Sequence, residues 1–384
     1  MCLRYPKFAL FICISLIGYI SCKKDDSGKK NLTSGEGILE KVKYANGFSI
    51  EYHTSYTEII VYNPWKKGEI YKTYYLVKEE DQQVPQDGIR IRIPIESMVA
   101  NSSTYLGFLD LLEETEKVTG ICNADYIYNR DVLKNIYLGI TKDLGDSYNL
   151  DIEQIILLRP DIVMTSAYEG IDENSRRMEQ MGIPVVYNIE WQEADLLGRA
   201  EWIKFIGAFF DKSVLSDSIF SDIEKRYTEV KNNLTHFHTC PTILSGQDYR
   251  GTWSMPAGKS YSAQLFRDAN GCYYYDNDSI HEGSIPNTIE EALIHFSDAD
   301  IWIGVQAYSL KELANLNPQY TLFKAFRNKK VFSYNNRVTP KGGNDYWETG
   351  IARPDLLLCD MIKVLHPEAL PEYELTFTRQ LTSD

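Results

Sequence analysis

Apolar residues spaced by three and four positions predict one long helix near the middle of the chain, Ser213–Leu234. The apolar stripe of this helix consists of Leu215, Ile219, Ile223, Tyr227, Val230 and Leu234. Neither Pro nor Gly interrupts it, and Ser213 is the predicted N-cap because its hydroxyl can accept a hydrogen bond from a first-turn N–H. At about 1.5 Å per residue the helix spans roughly 33 Å. We interpret it as a rigid strut that joins two lobes; the alternative is a surface helix of one large domain.

The chain before this helix alternates between strand and helix patterns. Four strands are predicted first, at Phe48–Tyr52, Thr57–Tyr62, Tyr71–Val77 and Ile89–Ile93. Further strands are predicted at Ser97–Ala100, Val118–Cys122, Asp161–Ser166 and Pro184–Asn188, and helices at Thr104–Glu116, Asp125–Leu138, Leu150–Leu158, Glu173–Met181 and Ala194–Phe210. This order indicates a β-rich N-terminal segment followed by an α/β lobe with a largely parallel sheet.

The chain after the long helix repeats the same plan. Strands are predicted at Thr242–Ser245, Ile301–Val305 and Lys330–Ser333, and helices at Ser260–Ala269, Thr288–Phe296, Ser309–Leu316 and Asp355–Leu365. The predicted fold class is therefore α/β, with two Rossmann-like lobes bridged by a single long α-helix and preceded by the β-rich segment. The N-terminal lobe is predicted over residues 38–212, the bridging helix over 213–234 and the C-terminal lobe over 235–384.

The first residues have the pattern of an export signal. Arg4 and Lys7 precede the apolar run Phe8–Ile20, which is too short to span a bilayer comfortably. Ser21-Cys22 follows, and a small residue directly before Cys resembles a bacterial lipobox. We predict a signal peptide over residues 1–21, lipidation of Cys22 and a flexible tether over 22–37; the alternative is a plain secretory signal with a coincidental Cys. The expected location is the cell envelope, with the lipid anchor on the periplasmic face or at the cell surface.

The net charge and the cysteine content limit the classes of partner and the cell compartment that suit this protein. A net charge of −14 argues against a nucleic-acid partner, whose phosphates need a basic surface. Four cysteines remain beyond the lipidated one, Cys122, Cys240, Cys272 and Cys359, and allow three pairings in an oxidising compartment. We predict a disulfide between Cys272 and Cys359, because both lie in the second lobe, although Cys240 is also near.

Aromatic residues follow several predicted strands. The chain contains 27 Tyr, whose flat ring and polar hydroxyl suit ligands of mixed polarity, although most Tyr are ordinary strand residues. In open α/β sheets, ligands bind beyond the carboxyl ends of the strands. The residues predicted to line such a cleft are Tyr168, Trp191, Tyr249, Arg250, Trp253, Tyr346 and Trp347, with Arg250 facing an anionic group of the ligand.

The sequence contains no motif of catalysis, cofactor binding or metal binding that we recognise. Gly258-Lys259-Ser260 resembles the end of a phosphate-binding loop, but position 253, which would need Gly, is Trp. Neither GxSxG, HExxH nor GxGxxG occurs. The six His are scattered, and His236 with His238 is more typical of a surface pair than of ligands. We therefore predict neither an enzyme nor a metal site nor a resident cofactor.

Four groups of residues carry a resemblance to a known family. They are Asn149–Glu153 with Leu158–Val163, Gly182–Val186, positions within Trp253–Gly271, and Tyr346–Gly350 with Arg353–Asp355. Over most of residues 95–370 the chain resembles the substrate-binding proteins of bacterial ABC importers for iron chelates and cobalamin. The resemblance implies two lobes that close little around a preformed cleft. It also implies capture of a ferric siderophore, or of cobalamin or haem, by a monomer that delivers the ligand to a membrane permease.

The same resemblance implies one docking carboxylate on each lobe for the permease. By position these are Glu173 and Glu290, or their neighbours Asp172 and Glu291, although acidic residues in a first helical turn also serve as plain caps. Two other functions stay open. One is a surface lipoprotein that binds a glycan or a partner protein, and the other is an enzyme built on the same scaffold.

Overall fold

The computed structural model describes residues 38–384 except residue 41. The predicted signal peptide, the tether and the lipidation site Cys22 lie outside the described residues. Among the described residues, no helix combines the length and the apolar character needed to cross a bilayer.

The β-rich N-terminal segment forms a sheet of its own, which we call the N-terminal sheet. Its strands are β1 (Ile38–Leu39), β2 (Phe48–Tyr52), β3 (Thr57–Tyr62), β4 (Ile70–Val77) and β5 (Ile89–Arg92). They lie in sequence order, antiparallel except for the parallel pair β4–β5. Successive side chains of a strand point to opposite faces of the sheet, and one face of this sheet is buried. On the buried face Phe48 packs edge-on against Trp202, with ring centroids 4.8 Å apart.

Two buried carboxylates attach this sheet to the rest of the protein. Glu201 accepts hydrogen bonds from the backbone N–H groups of Lys43, Tyr44 and Ala45. Glu193 accepts from the N–H of Gly47 at 2.9 Å, and also from the Trp202 indole at 3.1 Å. These bonds satisfy backbone donors between β1 and β2 that no strand partner reaches.

The first parallel sheet confirms the predicted α/β lobe, here called the N-lobe. Its strands are β6 (Met98–Ala100), β7 (Val118–Ile121), β8 (Lys142–Asp143), β9 (Ile162–Thr165) and β10 (Val185–Tyr187), in the order β10-β9-β6-β7-β8. All pairs are parallel. Its helices are α1 (Thr104–Leu111), α2 (Arg130–Tyr137), α3 (Ile152–Leu158), α4 (Glu173–Gln180) and α5 (Leu196–Phe209). Helix α2 begins five residues later than predicted, because Asn129 caps it by accepting from the N–H groups of Asp131 and Val132.

The second parallel sheet belongs to the C-lobe. Its strands are β11 (Thr242–Ser245), β13 (Cys272–Tyr273), β15 (Ile301–Val305), β16 (Val331–Ser333) and β17 (Arg379–Gln380), in the order β13-β11-β15-β16-β17 with only β17 antiparallel. Strands β12 (Trp253–Pro256) and β14 (Ser284–Asn287) form a separate antiparallel pair. The helices are α7 (Tyr261–Asp268), α8 (Ile289–Phe296), α9 (Leu310–Leu316), α10 (Lys324–Arg327), α11 (Thr349–Ala352) and α12 (Pro354–Leu365).

The predicted strut is confirmed as helix α6 (Ser213–Asn232), which connects the two lobes in the chain. Its start differs from the prediction, because Lys212 is the N-cap and makes no side-chain cap, while Ser213 is already helical. The buried face of α6 is also rotated relative to the apolar stripe that the sequence predicts. Phe220 is buried, whereas Leu215 is exposed, because Ser216 packs closely against the backbone of Gly207 on α5.

Helix α6 makes polar contacts with both lobes. In its first half, Asp217 pairs with Lys204 of α5 at 2.8 Å. In its second half, Arg226 donates to Asp355 of α12 at 2.9 Å, and Tyr227 donates to Asp268 of α7 at 2.6 Å. A helix fixed at both halves resists bending between the lobes.

The disulfide prediction is wrong. Cys272 is bonded to Cys240, with Cα atoms 5.3 Å apart, and Cys359 is free. The reason is strand pairing: β13 lies parallel to β11 with Cys272 opposite Thr242, so the residues just before Thr242 lie beside Cys272. Cys359 lies on α12 instead, and burial raises the pKa of its thiol to about 11.

Candidate functional site

A cleft of about 470 Å³ lies between the two lobes. It opens where strands β6 and β7 of the N-lobe and β15 and β16 of the C-lobe reach their carboxyl ends. Its lining includes Ser103 and Tyr126 from the N-lobe and Val305, Gln306, Tyr308, Tyr334, Asn335 and Trp347 from the C-lobe. This is the edge at which open parallel sheets bind ligands, because loops there carry side chains without interrupting the strand ladder.

Three exposed rings dominate the mouth of the cleft. Tyr126, Tyr308 and Trp347 are 64%, 50% and 46% exposed, which is high for large aromatic side chains. Exposed aromatic surface costs free energy in water, and a ligand that covers it recovers part of that cost. The amide side chains of Gln306, Asn335 and Asn344 add hydrogen-bonding groups to the same cavity. The cleft thus suits a ligand with both flat apolar and polar surface.

Tyr346 supports the cleft floor from below. It is buried and stacks on Tyr334 with ring centroids 4.2 Å apart, and it also packs edge-on against Trp347 at 4.7 Å. The prediction that Tyr346 lines the cleft is therefore wrong, because its ring is covered by the two rings that do line it. Burial raises the pKa of Tyr346 well above its ordinary value, so its hydroxyl stays protonated.

A buried ion pair lies near Tyr346. Arg199 of α5 approaches Glu190 at 3.8 Å, and its guanidinium lies over the ring of Tyr261, 4.5 Å from the centroid. Burial raises the pKa of Glu190, and the charge of Arg199 opposes that shift. Arg199 Nε and Glu190 Oε1 have no hydrogen-bond partner among the described residues. The sequence prediction missed this pair, since neither residue belongs to a motif.

A second buried carboxylate joins the lobes beside the cleft. Glu348 of the C-lobe accepts from the backbone N–H groups of Tyr128 at 2.5 Å and Asn129 at 2.9 Å, both in the N-lobe. Burial raises the pKa of Glu348 to about 8, although those two N–H groups act in the opposite direction. Gly107 of α1 and Gly343 leave no room for a Cβ against the backbone of the opposite lobe. At these two positions the backbones of the lobes are therefore in direct contact.

Besides the buried Tyr346 and Trp253, four predicted site residues at the protein surface lie outside the cleft lining. Tyr168 and Trp191 follow β9 and β10 at the same edge of the N-lobe sheet, are 51% and 39% exposed, and have ring centroids 6.1 Å apart. Tyr249 and Arg250 lie on an exposed turn after β11, with the guanidinium 5.1 Å from the Tyr249 ring centroid. Their role in binding stays a prediction.

Trp253 is a core residue, and the prediction that it lines the cleft is wrong. Its side chain is fully buried, with its ring 5.6 Å from that of Trp302. Its indole N–H donates to the carbonyl of Ser245 at 2.8 Å. Burial with a satisfied N–H is the usual situation of a Trp inside a protein. The cleft residues Tyr126, Tyr334 and Asn335 were missed, although each follows a predicted strand closely.

The structure also places the two predicted docking carboxylates at helix starts on the surface. Glu173 opens α4, where its side chain is 73% exposed and pairs with Arg176 at 3.5 Å. Glu290 lies in the first turn of α8 and is exposed. The caps are made by their neighbours: Asp172 accepts from the Ser175 N–H, and Glu291 forms a capping box with Thr288.

The sequence of residues 98–338 matches the family model described as "Periplasmic binding protein". That span covers more than half of the chain and includes every strand of the two sheets except the edge strand β17. The chain belongs to the periplasmic binding protein family. This membership confirms the predicted family resemblance and the two-lobe α/β fold. The family is one of solute-binding proteins and not of enzymes, so the enzyme alternative is set aside.

The sequence is also similar to proteins whose names describe them only as lipoproteins. An uncharacterized lipoprotein of Methanocaldococcus jannaschii is 27% identical over 363 residues, which covers 88% of this chain and 84% of the relative. A second uncharacterized lipoprotein of the same organism is 22% identical, and the match covers 77% of this chain and 76% of that relative. The similarity to both extends beyond the residues that the family model matches.

Solved structures share the fold of this periplasmic binding protein. A possible iron-binding, periplasmic solute-binding protein of Staphylococcus epidermidis has a TM-score of 0.54 and 16% identity, covering 71% of this chain and 98% of that one. A periplasmic haem-binding protein of Roseiflexus has a TM-score of 0.54 and 15% identity, and the match covers 71% of this chain and 99% of that one. A Helicobacter pylori protein solved with Ni(II) bound has a TM-score of 0.56 and 14% identity, and the match covers 78% of this chain and 91% of that one.

Proposed function

We propose that this protein is the solute-binding component of an ABC importer and captures a bulky metal chelate, with a ferric siderophore as the first choice and cobalamin or haem next. The observation that carries the proposal is the interlobe cleft with its exposed rings Tyr126, Tyr308 and Trp347. The ligand's metal ion is cargo, and the protein needs no cofactor of its own to hold it.

The chemistry of the cleft suits a chelate better than a small ion or a sugar. A cavity of about 470 Å³ accommodates a ligand far larger than a hydrated metal ion. Aromatic faces pack well on flat or lobed organic ligands, and phenol oxygens offer donors to the polar groups that surround the metal. The names of three structural neighbours, which mention iron, haem and Ni(II), support this choice. Family membership likewise favours this function over binding of a glycan or a partner protein.

The predicted aromatic residues outside the cleft lining provide a wider wall for a bulky ligand. Tyr168 and Trp191 lie on the same edge of the N-lobe sheet as the cleft, with Trp65 of the N-terminal sheet beyond them at 6.4 Å from Trp191. Arg250 lies after β11, next to cleft strand β15, and is the cation for an anionic group of the ligand. A ligand that protrudes from the cleft would reach these side chains.

We expect Trp347→Ala to weaken chelate binding by at least about fivefold, because the loss of one stacking ring typically costs about 1 kcal/mol beyond burial. Isothermal titration with haem, cyanocobalamin, a ferric hydroxamate and a ferric catecholate would first identify the ligand that binds and then compare the variant. Tyr137→Ala is the matched control, since Tyr137 is 89% exposed on α2 and outside the cleft lining. Unchanged affinity in Trp347→Ala would place the binding site elsewhere.

The proposed location is the cell envelope, with Cys22 acylated and residues 22–37 as the tether. The relatives named as lipoproteins support this proposal. An anchor of this kind keeps a binding protein close to its permease without a membrane-spanning helix.

Cys22→Ser should move the protein from the membrane fraction to the soluble fraction, because position 22 then has no thiol to acylate. Cell fractionation with immunoblotting tests this, and metabolic labelling with a fatty-acid analogue should mark only the wild-type protein. Cys359→Ser is the control, since that cysteine is free and lies on α12. A Cys22→Ser protein that stays with the membranes would contradict the anchor.

We further propose that Glu173 and Glu290 dock this protein on its permease, one from each lobe. Both carboxylates are exposed at the start of a helix whose cap is formed by another residue. They are therefore available for a partner, and Arg residues of a permease are the complementary chemistry. The protein acts as a monomer in this arrangement.

A further inference from the structure

Three side chains with metal-binding groups meet on the outer face of the N-terminal sheet. Glu51 on β2 lies directly opposite Glu58 on β3 in the antiparallel register. His53 follows Glu51 by two residues, and its N–H donates to the carbonyl of Tyr56 at 2.9 Å to close the hairpin. Side chains two apart on a strand, and side chains directly opposite across a pair, lie on the same face. The face opposite theirs carries the buried Ile50 and Ile59.

We propose that Glu51, His53 and Glu58 form a binding site for a divalent transition-metal ion, with Zn²⁺ the best match. The ligand atoms of the three side chains lie within 4.8 Å of one another. The site shares no residue with the interlobe cleft, and it lies outside the residues 98–338 that the family model matches.

The distances fit a shared ion better than hydrogen bonds. His53 Nε2 lies 3.7 Å from Glu51 Oε1 and 3.7 Å from Glu58 Oε2, too far for a hydrogen bond to either. Bonds of about 2.0–2.2 Å to one tetrahedral zinc place two ligand atoms roughly 3.3–3.6 Å apart. His53 Nε2 is buried and has no hydrogen-bond partner among the described residues. A buried polar atom without a partner is rare, and an ion between the three groups would satisfy it.

The charges at this site also call for a cation. Two carboxylates directly opposite each other on paired strands repel and destabilise the hairpin. Among the described residues, neither Glu51 nor Glu58 has an ion pair with a Lys or Arg, and the nearby Tyr75 donates its hydroxyl to a further carboxylate, Asp87, at 2.7 Å. Tyr75 is the register partner of Glu58 on β4. One divalent ion would replace the repulsion between the two glutamates with attraction.

The imidazole ring is held in position before any ion arrives. His53 stacks on Tyr56 with ring centroids 4.5 Å apart and an interplanar angle of 28°. Preorganised ligands lose less conformational entropy on binding. One imidazole nitrogen and two carboxylate oxygens match Zn²⁺ better than Ca²⁺ or Mg²⁺, which prefer oxygen ligands alone.

The site lies at the protein surface, where solvent reaches parts of all three side chains although His53 Nε2 itself is buried. The side chains of Glu51, His53 and Glu58 are 36%, 17% and 22% exposed. His53 and Tyr56 also line a groove of about 930 Å³ between the hairpin and the corner of α5 and α6. Three protein ligands leave a fourth position of the ion for water or for a group that enters this groove.

The test uses the whole mature protein stripped of metal with a chelator and then titrated with ZnCl₂ by calorimetry. After dialysis, mass spectrometry of the metal should find one zinc per chain in the wild-type protein. His53→Asn and Glu58→Gln should each weaken zinc binding by at least about 100-fold, since even second-shell changes commonly cost 10–100-fold. His281→Asn is the matched control, because His281 also lies beside a carboxylate, with its Nδ1 2.9 Å from Asp278.

Thermal unfolding provides a readout that separates loss of the site from loss of the fold. Zinc should raise the Tm of the wild-type protein and of His281→Asn but not of His53→Asn or Glu58→Gln. The metal-free Tm values of all four proteins should agree within a few degrees. Wild-type protein that binds no zinc, or a His53→Asn protein that binds it as tightly as wild type, would overturn the proposal. Trp347→Ala should retain zinc in full, which separates this site from the solute cleft.

Discussion

Replacing Glu348 with alanine should destabilise the protein by about 2–6 kcal/mol, because it leaves two half-buried N–H groups without their acceptor, at about 1–3 kcal/mol each. Those groups belong to Tyr128 and Asn129 of the opposite lobe, so the loss occurs at the contact that holds the lobes together. Urea unfolding followed by circular dichroism measures the change. Glu374→Ala is the matched control: Glu374 is exposed, and its removal should change the stability by less than about 0.5 kcal/mol.

The pH dependence of stability offers a second measurement on the same residue. The pKa of Glu348 is about 8 in the folded protein, above the value of about 4.3 for a free glutamate. The folded state therefore holds this proton more tightly than the unfolded state. The resulting contribution to the free energy of unfolding is fully present below pH of about 4.3. It decreases as the pH rises towards 8, because the unfolded carboxyl then ionises more readily than the folded one.

Glu348→Gln isolates this effect, because the amide has a similar shape and does not titrate. Between pH 5 and pH 9 the wild-type protein should lose stability relative to Glu348→Gln. A constant difference between the two proteins over that range would show that Glu348 is ionised in the folded state throughout. A stability of Glu348→Ala equal to wild type would show that the lobes are held together by other contacts.

The elements that the sequence predicts best are those whose pattern is local. Strands β2, β3, β11 and β15 begin and end at the predicted residues, since runs of β-branched and aromatic residues end at turns. Helix α6 was equally clear from its apolar spacing. The two-residue strands β1, β8, β13 and β17 are not predicted, because so short a strand exists only through its partner.

The failures concern contacts between residues far apart in the chain. The disulfide follows from the parallel pairing of β11 with β13, and no local signal distinguishes Cys240 from Cys359 as the partner of Cys272. Trp253 and Trp347 look alike in sequence, yet one is buried against Trp302 and the other is almost half exposed in the cleft. Burial of an aromatic residue is decided by the packing of several elements, which single-sequence patterns do not contain.

The interlobe cleft lies beyond the carboxyl ends of the strands, and of the seven residues predicted to line a ligand cleft only Trp347 lines it. The rule that ligands bind beyond the carboxyl ends of parallel strands is the reason that Trp347 was included. The same rule would have included Tyr126 and Tyr334, which also follow predicted strands. It could not identify Arg199 and Glu190, because both come from helical segments that reach the lobe interface only after folding.

Reversing the charge at both docking positions, Glu173→Lys with Glu290→Lys, should abolish uptake of the solute while leaving its affinity for the isolated protein within about twofold. Like charges brought together across a docking surface cost several kcal/mol, and here the repulsion acts on both lobes at once. The change costs the protein itself little, since an unfavourable charge at a helix start is worth only about 0.3–1 kcal/mol. The caps are kept, because Asp172 and Glu291 form them.

Uptake of radiolabelled chelate by cells that carry the variant measures this effect, and titration of the purified variant measures affinity. The matched control is Glu153→Lys with Glu368→Lys, which makes the same change in net charge at exposed positions, one before and one after α6 in the chain. The control pair should transport normally, because salt-dependent attraction between whole surfaces is much weaker than a direct contact. Normal uptake by the Glu173→Lys, Glu290→Lys protein would mean that these glutamates act only on their own helices and that the permease holds the lobes elsewhere.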